Sequence, residues 1–262
     1  MAGTRQERPE PLRIAMWSGP RNISTAMMRA WGNRLDTAVI DEPFYACYLA
    51  ATGIHHPGRE EVLASQPTDW REVIEKLTGP VPGGRAIYYQ KHMTHHILPG
   101  MSQDWLDAMS HCFLVRSPAQ VVASYAETRN APTLEDLGFV QQAEIFDRVA
   151  DRLGHAPPVI DANDVLRDPA SMLTTLCAAL GVPFDARMLS WPPGRRDTDG
   201  VWAPYWYASV ERSTGFHRLR ASSRPVPPEL RHLVEAATPV YERLATHCLQ
   251  PPEPGPEPSE HD

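Results

Sequence analysis

A chain of 262 residues, 42% hydrophobic and 22% charged, has the composition of a globular protein able to bury one substantial core. Its net charge of −7 excludes a general binder of nucleic acid or of anionic membranes, both of which need a basic surface. No apolar run approaches the roughly 18 to 20 residues of a membrane span, residues 1–10 lack an apolar signal core, and the four cysteines stand far apart without zinc spacing, so a cytoplasmic protein with reduced thiols is expected.

Residues 12–17 are a compact apolar run that reads as a buried strand, and Ile23, Met27 and Trp31 then recur four apart, as one face of a helix does. Between them lies Trp17-Ser18-Gly19-Pro20-Arg21-Asn22-Ile23-Ser24-Thr25. Gly19 and Pro20 mark a tight turn, Ser24 and Thr25 bring hydroxyls to the open N–H groups of the first helical turn, and Arg21 adds positive charge. The stretch suits a phosphate-like group, yet it lacks the Gly-Lys-Ser/Thr ending of a Walker A loop.

A second strand at 37–40 runs into Asp41-Glu42-Pro43-Phe44, placing Glu42 at the carboxyl end where ligands of open α/β sheets gather. Residues 45–67 read as an insertion with short helices, and 69–77 as a helix capped by Asp69 and stopped at Gly79. A third strand at 86–90 ends in Lys91-His92-Met93-Thr94-His95-His96, and Ser102 caps a short helix to Met109. After a fourth strand at 112–115, Ser117 and Pro118 stand as N-cap and first residue of a helix, and Thr133 opens a longer one to about Leu153. A fifth strand at 159–160 is followed by a helix opened by Asp168-Pro169 and ended at Gly181. Residues 191–224, rich in Pro, Gly, Arg and aromatics, read as a lid or cap, and a last helix from Pro228 is kinked at Pro239. Alternating strands and helices argue for a three-layer α/β/α fold around a parallel sheet of about five strands. We expect one domain over residues 1–249, with cap segments at about 45–80 and 191–224, and a disordered acidic, Pro-rich tail at 250–262.

Pro20-Arg21-Asn22-Ile23-Ser24-Thr25 resembles the 5'-phosphosulfate loop of sulfotransferases that use 3'-phosphoadenosine 5'-phosphosulfate (PAPS), usually Pro-Lys/Arg-Ser-Gly-Thr/Ser-Thr. Arg21 stands where many members have lysine, and Ile23 where they have glycine. Residues 113–125, Phe-Leu-Val-Arg-Ser-Pro-Ala-Gln-Val-Val-Ala-Ser-Tyr, resemble the 3'-phosphate motif of the same family, a strand, Arg-Asp-Pro and a serine eight residues after the arginine. Arg116 and Ser124 match, and Ser117 replaces the aspartate. The fifth strand and its helix, ending Leu180-Gly181, also look like the family's, and Arg212-Ser213-Thr214-Gly215-Phe216-His217-Arg218 lies where members often carry a basic, glycine-containing loop.

The resemblance implies a P-loop NTPase-like sulfotransferase fold and a metal-independent enzyme that takes PAPS, leaves adenosine 3',5'-bisphosphate and sulfates a hydroxyl or amine of a small-molecule acceptor, as monomer or homodimer. It implies cofactor binding by Gly19, Pro20, Arg21, Asn22, Ile23, Ser24, Thr25, Arg116, Ser124, Ser213, Thr214, Gly215 and Phe216. Sulfuryl transfer needs a base for the acceptor and positive charge on the transferring group, and Arg21 and Lys91 supply charge. Many members use a histidine two residues after a lysine at the third strand's end, which here is Met93. Glu42 is the first choice of base, because Glu42-Pro43-Phe44 resembles a pattern in some bacterial carbohydrate sulfotransferases, and His92 is the second. His92, His95 and His96 lie close together, but a strand end does not align them as metal ligands. Trp202, Tyr205, Trp206 and Tyr207 either line a pocket or pack a lid. A P-loop kinase or nucleotide hydrolase, and a sulfotransferase-like nucleotide binder without transfer, are the alternative readings.

Overall fold

The computed structural model describes residues 10–127, 132–216 and 225–251. Five strands, β1 (Leu12–Ser18), β2 (Thr37–Asp41), β3 (Ile87–Met93), β4 (Ser110–Val115) and β5 (Val159–Asp161), form one parallel sheet in the order β2-β3-β1-β4-β5. Between and after them run α1 (Ser24–Gly32), α2 (Tyr45–Thr52), α3 (Arg59–Ser65), α4 (Trp70–Thr78), α5 (Pro118–Tyr125), α6 (Leu134–Leu137), α7 (Phe139–Leu153), α8 (Ala162–Arg167), α9 (Pro169–Ala179), α10 (Ala203–Trp206), α11 (Ala208–Glu211) and α12 (Arg231–Ala245). Because successive side chains of a strand point to opposite faces, β1 divides its apolar residues between two cores. Ile14 and Met16 pack with α1, α8 and α9, and Ala15 and Trp17 with α4, α7 and α12. The chain leaves β1 on one side and later crosses it to reach β4, so the switch point, where open α/β sheets bind ligands, lies at the carboxyl end of β1.

Local chemistry sets most boundaries. Asp69 caps α4 by accepting from the Arg71 N–H, Asp168 caps α9 from Ser171, and Pro118 and Pro169 begin their helices. Five expectations change. The helix from Thr133 is two helices: a capping box between Thr133 and Asp136 starts α6, and Gly138, at φ 70°, breaks the chain before α7. The segment before Met109 is a 3-10 helix over Asp104–Ala108, and α8 follows β5 directly, capped by Asp161. Ser117 occupies the N-cap position of α5 without a side-chain cap bond. β3 runs on to Met93, which puts Lys91 and His92 inside the strand on opposite faces. The expected tail at 252–262 and residues 217–224 of the expected cap lie outside the described residues. No helix among the described residues is long and apolar enough to cross a membrane, and the four cysteines are unpaired.

The face of the sheet away from α1 buries two histidines. His92 stacks on Trp17 at 4.6 Å, with Phe44 and Trp105 beside it, and its Nε2 faces the side-chain oxygen Oε1 of Gln90 at 3.1 Å, so Nε2 carries the proton. His111 accepts the Trp17 indole N–H on Nδ1 at 3.0 Å and donates from Nε2 to the Leu106 carbonyl. Both rings are neutral, since burial pushes His92 down to about 3 and His111 down to about 4 from 6.5.

The unfolded chain therefore takes up protons near pH 6.5 that the native state refuses until about pH 3 to 4, and stability present above 6.5 is lost as the pH falls through that window. Each ring contributes a slope of up to about 1.4 kcal/mol per pH unit. Urea unfolding of the protein at pH 6.5 and pH 5 should show this loss, and His92→Leu should make the slope shallower; equal slopes would mean that His92 titrates normally in the folded chain.

Candidate active site

A cavity of about 380 Å³ opens at the carboxyl ends of β1, β2 and β3. Residues Pro20 to Thr25 line one part of it, α1 beginning at Ser24 with its first N–H groups toward this loop. Long-range packing shapes the loop. A side chain on Gly19 would meet the Leu137 carbonyl oxygen at 2.6 Å, so only glycine lets this turn pass beneath the α6–α7 junction. Asn22 donates to the Leu114 carbonyl at 2.7 Å, and Gln142 from α7 donates to the carbonyls of Trp17 and Leu114, binding the ends of β1 and β4 together. Arg21 sits at φ 57°, left-handed backbone that a branched cation adopts only under such constraint.

Residues 20–25 and 113–125 meet at Arg21. Its Nε donates to Ser124 Oγ at 3.0 Å, and Arg116 Nη1 donates to the Arg21 carbonyl at 2.6 Å while Arg116 Nε reaches Gln120. Among the described residues no carboxylate forms an ion pair with Arg116; burial first, and then the neighbouring Arg21, lower its pKa. Two cations and two serine hydroxyls thus gather at a helix start, an arrangement that attracts phosphate.

Across the cavity the register of β2 and β3 sets Asp41 opposite Lys91. The Lys91 ammonium, 1% exposed, donates all three hydrogens: to Asp41 Oδ1 at 2.8 Å, Glu42 Oε1 at 2.6 Å and Tyr207 Oη at 2.7 Å. Burial alone would lower its pKa, but Asp41 and Glu42 hold it well above the ordinary value. Glu42 moves the other way, raised by burial and by Asp41 against the pull of Lys91. Its backbone is also left-handed, φ 38°, held by Glu42 N–H to the Lys91 carbonyl and by Tyr45 N–H and Gln66 Nε2 on its own carbonyl. Asp41 is turned away from the cavity, and Glu42 lines it.

The remaining wall is aromatic. Tyr45 stacks on His96 at 4.7 Å and bonds His56 Nδ1 at 2.7 Å, and Trp206, Tyr207 and Phe216 come from the cap. Burial, then His95 and His56, hold His96 neutral, far below 6.5. The cap is stapled down: Arg29 of α1 pairs with Asp199 at 2.6 Å, both buried, Gly200 N–H donates to Asp41, and Trp191 Nε1 donates to Ser213 Oγ.

Of the residues singled out from sequence, Pro20, Arg21, Asn22, Ile23, Ser24, Thr25, Glu42, Lys91, Arg116, Ser124, Ser213, Gly215 and Phe216 line the cavity. Gly19 acts from behind, and Thr214 does not reach the cavity. Ser213 is 3% exposed and its hydroxyl is already engaged by Trp191 and the Val210 carbonyl. His92 is a correction: the alternation of β3 sends it to the opposite face, sealed under Trp17, Phe44 and Trp105, and it does not line the cavity. His95 and His96 meet edge to face at 4.4 Å, away from His92. Sequence reasoning named Tyr207 only within the aromatic group at 202–207, without making it a site residue, and gave Tyr45 and Asp41 no role.

The family model described as "Sulfotransferase domain" matches residues 12–248. The chain is 37% identical over 238 residues to Branched-chain-amino-acid aminotransferase-like protein 1 of Arabidopsis thaliana, covering 91% of this chain and 42% of that protein. It is 32% identical over 234 residues to the like-named protein 2 of the same plant, covering 89% and 41%. The chain therefore spans about two fifths of the length of these relatives. Among solved structures, a sulfotransferase from Alicyclobacillus acidocaldarius shares the fold with a TM-score of 0.57 at 16% identity, over 93% of this chain and 98% of that one. With the sheet order, the loop after β1 and the Arg21–Ser124 contact already in place, the match over residues 12–248 shows that the chain belongs to the sulfotransferase family.

Proposed function

We propose that the cavity binds PAPS and that the protein moves the sulfuryl group to a hydroxyl or amine of a small-molecule acceptor. The observation that carries this reading is the convergence of Arg21, Arg116 and Ser124 on one spot beside the start of α1. A nucleotide with phosphates on both its 3' and 5' positions matches that donor set: Ser24, Thr25 and the first N–H groups of α1 suit the 5' side, and Arg116 with Ser124 suits the 3' side. Bound there, PAPS supplies an activated sulfuryl group on a phosphate leaving group.

The chain's own contribution is charge and a base. Arg21 faces the cavity beside the loop and balances negative charge that grows there during transfer. Glu42 has Oε1 held by Lys91, no hydrogen bond to Oε2 among the described residues, and a pKa raised by burial, so it accepts the proton that the acceptor loses. Lys91 serves Glu42 rather than the sulfuryl group, since its three hydrogens are already taken.

Two outcomes are expected. In calorimetry without metal the protein should prefer adenosine 3',5'-bisphosphate to ADP, and Arg116→Ala should weaken the former by about 2 to 4 kcal/mol while leaving ADP nearly unchanged; equal affinities that ignore the mutation would refute the assignment. In single-turnover assays with PAPS, Glu42→Gln should lower the rate about 10²- to 10⁴-fold with bisphosphate affinity kept. Full activity of that variant would remove Glu42 from the chemistry.

A further inference from the structure

The cap enters the site at one atom, the Tyr207 hydroxyl. Tyr207 is 5% exposed, and its oxygen is saturated. It accepts from Lys91 Nζ at 2.7 Å and from the Trp202 indole N–H at 3.1 Å, and its single hydrogen points to Asp41 Oδ2 at 2.7 Å, with Glu42 Oε1 next nearest at 3.4 Å. A phenol has two acceptor positions and one donor, so no other orientation satisfies all its neighbours. Asp41 Oδ2 also takes the Gly200 N–H, and Oδ1 takes Lys91, so both oxygens of Asp41 are engaged while Oε2 of Glu42 is not.

We propose that Tyr207 is a positioning residue of the reaction: delivered by the cap, it holds Lys91 and Asp41 as a closed ion pair and so leaves Glu42 as the one carboxylate of the pair presented to the acceptor. The inference rests on the reading of Glu42 as base. Without the phenol, the third hydrogen of Lys91 has no acceptor, the charge on Asp41 loses the donor that damps it, and Glu42 feels that charge more strongly. The stronger field of Asp41 makes Glu42 harder to ionise, in line with the direction in which Asp41 acts on it. The other titratable groups facing Glu42 do not alter this. Tyr45 on α2 stays protonated, its pKa raised by burial, and His96 in the turn after β3 stays neutral, so Lys91 and Asp41 are the charges that matter.

The test reads Glu42 directly in the protein alone, by NMR of 13C-carboxyl-labelled glutamate, with the signal assigned by its loss in Glu42→Gln. Tyr207→Phe should raise the Glu42 midpoint by about one pH unit, as a neighbouring carboxylate charge that has lost its donor would. Replacing Tyr207 by 3-fluorotyrosine, nearly the same shape and a stronger O–H donor, should lower it, and this variant keeps the test open if the phenylalanine chain does not fold. With PAPS and an accepted substrate, the acid limb of kcat/KM should move with the midpoint in each variant. A midpoint unchanged in both variants overturns the proposal, whatever reaction the site performs. A midpoint that moves as described in a protein that transfers no sulfuryl group supports the positioning role and refutes the reaction.

Discussion

A lysine ammonium shut away from water is tolerable only when every hydrogen has an acceptor and the charge is answered nearby, and Lys91 meets both conditions through Asp41, Glu42 and Tyr207. The condition reaches far into the fold. It requires the register that sets Asp41 opposite Lys91, the tight turn that brings Glu42 back toward the same nitrogen, and a cap segment folded so that a tyrosine some 116 residues away arrives at the third position. Removing one member would strand a charge in the interior, at a cost of about 3 to 5 kcal/mol for a typical buried pair. The carboxylate of the site is thus held by the same contacts that close the cap.

The cationic side of the cavity is built on a different principle. Arg21 and Arg116 stand close together without carboxylate closure at Arg116, and the loop that carries Arg21 is shaped by contacts from β4, α6 and α7. Neighbouring like charges repel, and a bound dianion is the natural relief. One wall is therefore an ion-pair cluster around Lys91, and the other carries two neighbouring arginines at the cavity.

Much of this was legible in the sequence because it depends on local spacing. Five apolar runs alternating with helices, proline and aspartate at helix starts, and the residues 20–25 and 113–125 are all short-range signals, and the structure brings Arg21, Arg116 and Ser124 close together. What was not legible depends on where a strand ends and which face a side chain takes. Ending β3 at residue 90 left Lys91 and His92 looking like neighbours in one loop; three more residues of strand put them on opposite faces, and His92 fell into the core. Gly138 was hidden inside an amphipathic pattern that continues across it. Tyr207 was beyond reach, since nothing in its neighbourhood announces an ion pair formed between β2 and β3.

Among the described residues, only Arg21 and Glu42 combine a side chain with left-handed backbone. Such conformations cost of order 1 to 3 kcal/mol each, and glycine or asparagine would relax them. Laboratory selection for melting temperature alone would drift toward glycine at Arg21, deleting a cation from the cavity wall while leaving the sheet intact, whereas at Glu42 the same change would strand the buried Lys91 and cost more than the strain it relieves. At Glu42 backbone strain and the ion pair pull in opposite directions, and the larger cost of stranding Lys91 keeps the carboxylate in place.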